Sequence, residues 1–232
     1  MKKMGLIGGT SWHSTLEYYR SINQQVNDHF HNNTNPPLWI VNLNQQEIHQ
    51  LQQAGQWDVI SDIILQKATQ LQEIGIPALA LCANTPHKVI ENIQPKLRIP
   101  FIHIANAVGE VIHRQGWKKV GLLGTRFTMN EDFIKGKLNR EFQVKIMVPD
   151  EPTQLEIQCY IVQEFCCGTF STEAKQYFLE KIRIFAEEGA EAVIMGCTEI
   201  PLLLKGLECP LPVIDSMQCH CDKIVHYIIE DD

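Results

Sequence analysis

The sequence predicts an α/β fold with mainly parallel sheets, built as two pseudo-symmetric α/β domains. Two observations lead there. Short apolar runs alternate with segments of helical periodicity, the pattern left by strands joined through crossover helices. Three blocks of the chain also recur in the same order at nearly constant spacing, as an internal duplication would leave them. The apolar runs are "MGLIGG", "LWIVNL", "ALALC", "PFIHI", "KVGLLG", "VKIMVP", "AVIMGC" and "PVID" in chain order. Two of the helices between them are well marked. In "DVISDIILQKATQLQEIG" the residues Ile60, Ile63, Ile64, Ala68 and Leu71 share one face and Gly75 supplies the stop. In "STEAKQYFLEKIRIFAEEGA" Ala174, Phe178, Ile182 and Phe185 do the same, ending at Gly189.

The repeated blocks are specific. "GLIGGTS" from Gly5 resembles "GLLGTRF" from Gly121, and "EIGIPALALC" ending at Cys82 resembles "EEGAEAVIMGC" ending at Cys197. "IPFIHI" around Pro100 pairs with "LPVIDS" around Pro212. In open α/β sheets ligands sit beyond the carboxyl ends of the strands, and each of the two cysteines ends a strand run. The expected active site is therefore an interdomain cleft that Cys82 and Cys197 approach from opposite sides.

Composition narrows the function classes. The chain has 232 residues, enough for one large domain or two small ones, with 44% hydrophobic and 20% charged residues. Its formal net charge is -7, and its adjacent basic pairs are Lys2 with Lys3 and Lys118 with Lys119, which argues against nucleic acid as a partner. The opening "MKKMGLIGGTSW" breaks its apolar run at Gly8 and Gly9, so it does not read as a signal peptide. No apolar run approaches the ~20 residues of a membrane span, and a cytoplasmic protein is expected. Eight cysteines in such a chain stay reduced and read as core residues, metal ligands or nucleophiles. "CC" at Cys166 and Cys167 and "CHC" from Cys219 to Cys221 lack C-x-x-C spacing, so they read as small buried residues and no metal site is expected.

Cys82 and Cys197 are different because they occupy equivalent places. After Cys82, "ANTP" reads as a loop with Thr85 as helix N-cap and Pro86 at the first helical position. "CTEIP" offers the same turn with Thr198 as cap. The N–H groups of such turns would lower a thiol pKa or bind a carboxylate. Two facing thiols can act as acid and base on opposite faces of one α-carbon: one removes the α-proton of an amino acid, the other returns a proton, and the stereocentre inverts. Asn84, Thr85 and Thr198 would stabilise the developing carbanion through the carboxylate. No lysine stands in "CANTP" or "CTEIP", so pyridoxal phosphate is not called for and no cofactor is expected.

The glycine turn "GLIGGTSW" lacks G-x-G-x-x-G spacing. It reads instead as backbone that approaches a small anionic ligand, with Thr10 and Ser11 as donors, and "LLGTRFTMN" as its counterpart through Thr125 and Thr128. Each of these hydroxyls reads equally as a helix cap. His87 and Glu199 either tune the thiols or decorate helix starts, and Arg20 and Arg126 are candidates for a second substrate carboxylate.

"MGLIGGTSWHSTLEYYRSIN", "LCANTPHKV" and "MGCTEIPLLL" together resemble the hallmark segments of the aspartate/glutamate racemases, the cofactor-independent amino acid racemases. The resemblance runs through nearly the whole chain. It implies two pseudo-symmetric α/β domains with a cleft between them and catalytic Cys82 and Cys197, in agreement with the residue reading, whose substrate site includes Thr10, Ser11, Asn84, Thr85, Thr125, Thr128, Thr198 and Glu199. It further implies a first domain of residues 1–98 completed by 212–232, a second of 99–211, and a homodimer. Thr10 and His13 stand where close relatives carry methionine and glutamate, which bears on side-chain preference. The aspartate-containing glycine loop of cell-wall glutamate racemases is absent, so the substrate expected is aspartate, glutamate or a broader set of amino acids. The rival readings are another reaction on this scaffold, such as that of decarboxylases, hydantoin racemases or maleate isomerases, and an amino acid-binding protein without catalysis.

Overall fold

A computed structural model describes residues 1–230. It divides into two compact units, Met1–His103 together with the chain from His220 onward, and Ile104–Cys219. Residues 231 and 232, assigned on sequence to the first domain, lie outside the described residues.

In the first unit β1 (Met4–Gly8) is followed by α1 (Trp12–Phe30), β2 (Leu38–Asn42), α2 (Gln45–Gln53), α3 (Trp57–Glu73), β3 (Leu79–Leu81) and, after a 3-10 turn over Thr85–Val89, α4 (Ile90–Ile93). The three strands are parallel with β1 in the middle, Ile7 opposite Leu81 and Gly8 opposite Asn42. All five residues of β1 are buried, as expected of a central parallel strand covered on both faces. Ile60, Ile64, Ala68 and Leu71 of α3 pack with Ile7, Leu79 and Leu81, while Ile63 at the margin of that stripe is half-buried. The "PFIHI" run forms a single parallel bridge between Leu79 and Phe101 rather than a full strand, because a helix begins already at Ile104.

The second unit begins with that helix, α5 (Ile104–Gln115), and continues with β4 (Lys119–Gly124), α6 (Arg126–Asn130), α7 (Asp132–Phe142), β5 (Lys145–Met147) and α8 (Glu151–Gln163). It is completed by α9 (Thr172–Glu187), β6 (Ala192–Gly196), α10 (Ile200–Leu203), β7 (Val213–Asp215) and the start of α11 (Ser216–Ile229). Its sheet is parallel, in the order β5-β4-β6-β7. The predicted face of α9, namely Ala174, Phe178, Ile182 and Phe185, is wholly buried with Leu122, Leu123 and Ile194 in a core of this unit's own. Gly75 and Gly189 follow α3 and α9 at φ of 82° and 83°, the left-handed conformation that stops a helix.

The two sheets share one topology. Their orders are β2-β1-β3 plus the Phe101 bridge, and β5-β4-β6-β7. Equivalent bonds close them: Leu79 N donates to Pro100 O and Val193 N to Pro212 O, both at 2.9 Å. This agreement of backbone pairing with the repeated sequence blocks is what duplication of one α/β unit produces. The boundaries differ from those read on sequence. β7 is hydrogen-bonded to β6, so residues 212–219 stay with the second unit and the chain rejoins the first inside α11, where Ile228 O accepts from Lys2 N at 2.8 Å.

Of the four cysteines expected to be small buried residues, only Cys221 is buried. Cys219 is half-buried, and Cys166 and Cys167 are exposed on a 3-10 turn whose buried anchor is Phe165.

Candidate active site

Each unit places one candidate cysteine at the carboxyl end of an equivalent strand. Cys82 follows β3 directly and Cys197 follows β6 directly. Both are free thiols and both are buried.

In the first unit Cys82 N donates to Ile7 O at 3.0 Å, which continues the β1–β3 pairing up to the thiol. Ser14 Oγ donates to Cys82 O at 2.7 Å. The glycine turn beside it is packed against the protein itself. A Cβ at Gly8 would run into the Thr15 side chain, and one at Gly9, whose φ is 86°, into the Leu43 backbone. Thr15 Oγ1 accepts from Gly9 N and donates to Ser11 O, both at 2.9 Å. Ser11 caps α1 by accepting from Ser14 N at 3.2 Å. Thr10 is buried, and its carbonyl accepts from His49 Nε2 at 3.1 Å. Trp12 N donates to Gln45 Oε1 at 3.1 Å. Gln45 and His49 thus hold α2 against this turn. Sequence reasoning missed both, because a lone Gln or His on an amphipathic helix carries no signal until the partner segment is known.

The "ANTP" turn departs from its expected form. Asn84, buried, occupies the position before the 3-10 turn, whose first residue is Thr85, and no side chain caps it. His87 is fully buried, with Nδ1 at 2.8 Å from Ala83 O and 3.2 Å from Asn84 O.

In the second unit Cys197 Sγ donates to Glu199 Oε2 at 2.9 Å, and Thr198 Oγ1 donates to the same oxygen at 2.8 Å. Glu199, not Thr198, stands at the cap position of α10. Thr125 caps α6, accepting from Thr128 N at 3.3 Å, and the two threonine hydroxyls lie 3.0 Å apart. Thr128 is fully buried, and a Cβ at Gly196 would come within 2.8 Å of its Cγ2, so it abuts the residue before Cys197.

Electrostatics reverse the expectation of lowered thiol pKa values. Burial pushes the Cys82 thiol up. Burial pushes the Cys197 thiol up as well, and the Glu199 carboxylate adds to it by charge and by accepting the S–H. The short turns after each cysteine do not outweigh the loss of water. The arginines proposed for a second carboxylate are engaged elsewhere: Arg20 with Glu17 at 2.7 Å and Arg126 with Glu151 at 3.2 Å.

The chain belongs to the Asp/Glu/hydantoin racemase family, whose model matches residues 7–224. Over 99% of its length it superposes on an aspartate racemase homologue from Pyrococcus horikoshii OT3, covering 100% of that chain with a TM-score of 0.85 and 34% identity. Glutamate racemase from Francisella tularensis, solved with D-glutamate, shares the fold at a TM-score of 0.65 and 15% identity, over 97% of this chain and 80% of that one. A broad specificity amino-acid racemase of Bacillus subtilis is 27% identical over 70% of this chain and 69% of its own length. A glutamate racemase of Hydrogenobaculum is 26% identical over 65% of this chain, which spans 56% of that protein.

Proposed function

We propose that the protein racemises an amino acid without a cofactor, with Cys82 and Cys197 as the two acid–base groups on opposite faces of one α-carbon. The observation that carries this reading is the equivalent placement of the two buried thiols, one directly after β3 and one directly after β6. Inversion of a stereocentre by proton transfer needs one group on each face, and a duplicated half-site supplies that pair.

In the resting protein both thiols hold their protons, so one must be released before it can act as base. For Cys197 the acceptor is in place: the Glu199 oxygen that receives its S–H at 2.9 Å takes the proton as sulfur attacks the α-hydrogen. For Cys82 the proton passes to water as substrate enters, and the substrate's own α-ammonium supplies the opposite charge that favours the thiolate left behind. The carbanion that forms is stabilised through its carboxylate by Asn84, Thr85 and Thr198. Thr10, Ser11, Thr125 and Thr128 shape and support the two loops on which these groups sit. Both acid and base come from the protein, so the reading needs no pyridoxal phosphate. The substrate class is aspartate, glutamate or a broader set of amino acids. The expected cytoplasmic homodimer belongs to the same reading.

The test is proton NMR of the reduced protein in D2O with a panel of L- and D-amino acids, beside chiral chromatography. Loss of the α-proton signal coupled to appearance of the opposite enantiomer is expected. Exchange without inversion would move the assignment to a single-face reaction on this scaffold, and saturable binding without exchange to an amino acid-binding protein.

A further inference from the structure

Three successive carbonyls of the Cys82 loop are each held by a side chain of the same unit. Cys82 O accepts from Ser14 Oγ at 2.7 Å, and Ala83 O and Asn84 O lie 2.8 and 3.2 Å from His87 Nδ1. A carbonyl can only accept, so Nδ1 carries the imidazole proton and bridges both oxygens. The His87 ring is fully buried against His103 and His220, with centroids 4.7 and 5.4 Å away. His220 is anchored in turn. Its Nε2 donates to Ile102 O at 2.7 Å, which leaves Nδ1 to accept from the Tyr18 hydroxyl at 2.8 Å. Residues from α1, the 3-10 turn, the segment at 102–103 and α11 therefore meet in one polar cluster behind the thiol loop.

Packing alone does not explain this composition. Burying imidazoles and a phenol costs free energy that apolar side chains of similar volume would not. What His87 does and a leucine cannot is donate an N–H to two carbonyls of the segment that follows Cys82. Because the peptide is planar and trans, a carbonyl held toward the interior turns the N–H of the next residue the opposite way. Holding the oxygens of residues 82–84 thus sets the direction of the N–H groups of residues 83–85 and of the backbone that aims the Cys82 thiol.

We propose that His87, seconded by Ser14, is a positioning residue for Cys82: its Nδ1–H, oriented by the His103–His220–Tyr18 cluster, fixes the thiol loop in the geometry proton transfer requires. This rests on the racemase reading, and its test separates the two. His87→Leu fills the site without a donor, whereas His87→Asn returns an amide N–H to the place of Nδ1. With wild-type exchange first established in D2O on aspartate, glutamate, alanine and lysine, the leucine variant is expected to lose about 100-fold in kcat. That is the loss that follows a displacement of ~1 Å at a reacting group. KM should change little, and the asparagine variant should recover most of kcat even if both variants melt at the same lowered temperature. Equal kcat in the two variants, or wild-type kcat in the leucine variant, would overturn the proposal. Should the leucine variant fail to fold, Ser14→Ala carries the test: kcat must fall with KM held, and unchanged kcat counts against positioning. If the wild type exchanges no amino acid, the racemase reading fails while positioning is still read by mass spectrometry of Cys82 alkylation with iodoacetamide. Labelling should quicken in the leucine variant and return to the wild-type rate in the asparagine variant, and identical rates in all three would sink it.

Discussion

At the scale of single residues the two thiols are alike in placement and unlike in partners. Cys197 donates to a carboxylate and Cys82 sits on a loop held by Ser14 and His87. Under the proposed two-base scheme each cysteine is base for one enantiomer and acid for the other, so replacing either by alanine should abolish racemisation in both directions; full turnover by one single mutant in a chiral assay would exclude that scheme. Glu199→Gln separates charge from proton acceptance. Burial still holds the Cys197 pKa up, but without the neighbouring negative charge it falls part of the way, so alkylation at pH 8 should quicken. Turnover should nevertheless drop by about 100-fold, the low end of what one general acid–base group contributes. The sequence named Glu199 as a candidate, but that its carboxylate receives the thiol proton follows only from the 2.9 Å contact.

At the scale of elements, turns and caps place these residues. Gly9→Ala should cost more than Gly75→Ala although both glycines have positive φ. Each pays about 1–2 kcal/mol for a left-handed L-residue. At Gly9 the new Cβ also meets the Leu43 backbone, whereas nothing lies within 4 Å at Gly75. Chemical denaturation of the two variants checks the order. The buried histidine cluster that joins α1, the 3-10 turn and α11 should make stability depend on pH. Burial lowers the His220 pKa to about 4 and lowers that of His87 as well, against about 6.5 in the unfolded chain. Between those values the unfolded state binds more protons, so stability is full above about pH 6.5 and is lost as pH falls toward 4. The His220 share is on the order of 3 kcal/mol. Urea midpoints measured from pH 7.5 to 4 should fall through that window, and a flat profile would show that the cluster opens without cost. His87 read on sequence as either surface or functional; periodicity could not say that its neighbours would be two more histidines from distant segments.

At the scale of the whole molecule the chain builds two cores, one around Ile64 and Leu79 and one around Phe178 and Ile194. Ile64→Ala should destabilise by about 2–5 kcal/mol and Phe178→Ala by about 3–5 kcal/mol. The double variant should equal their sum within ~0.5 kcal/mol, since the two residues share no core cluster. Coupling well beyond that in a double-mutant cycle would mean that the cores are not independent.

The sequence by itself determined the α/β class, the repeated unit and the two cysteines, because apolar periodicity, glycine stops and duplicated blocks are local signals that survive in one dimension. Only the tertiary structure decided that β7 stays with the second unit, that burial and then Glu199, rather than a helix N–H group, set the Cys197 thiol, and that His87 lies buried behind Cys82. Strand partners, charge contacts and burial join residues far apart in the chain or turn on angles within a loop, and these are set by packing rather than by any signal that a short stretch of sequence contains.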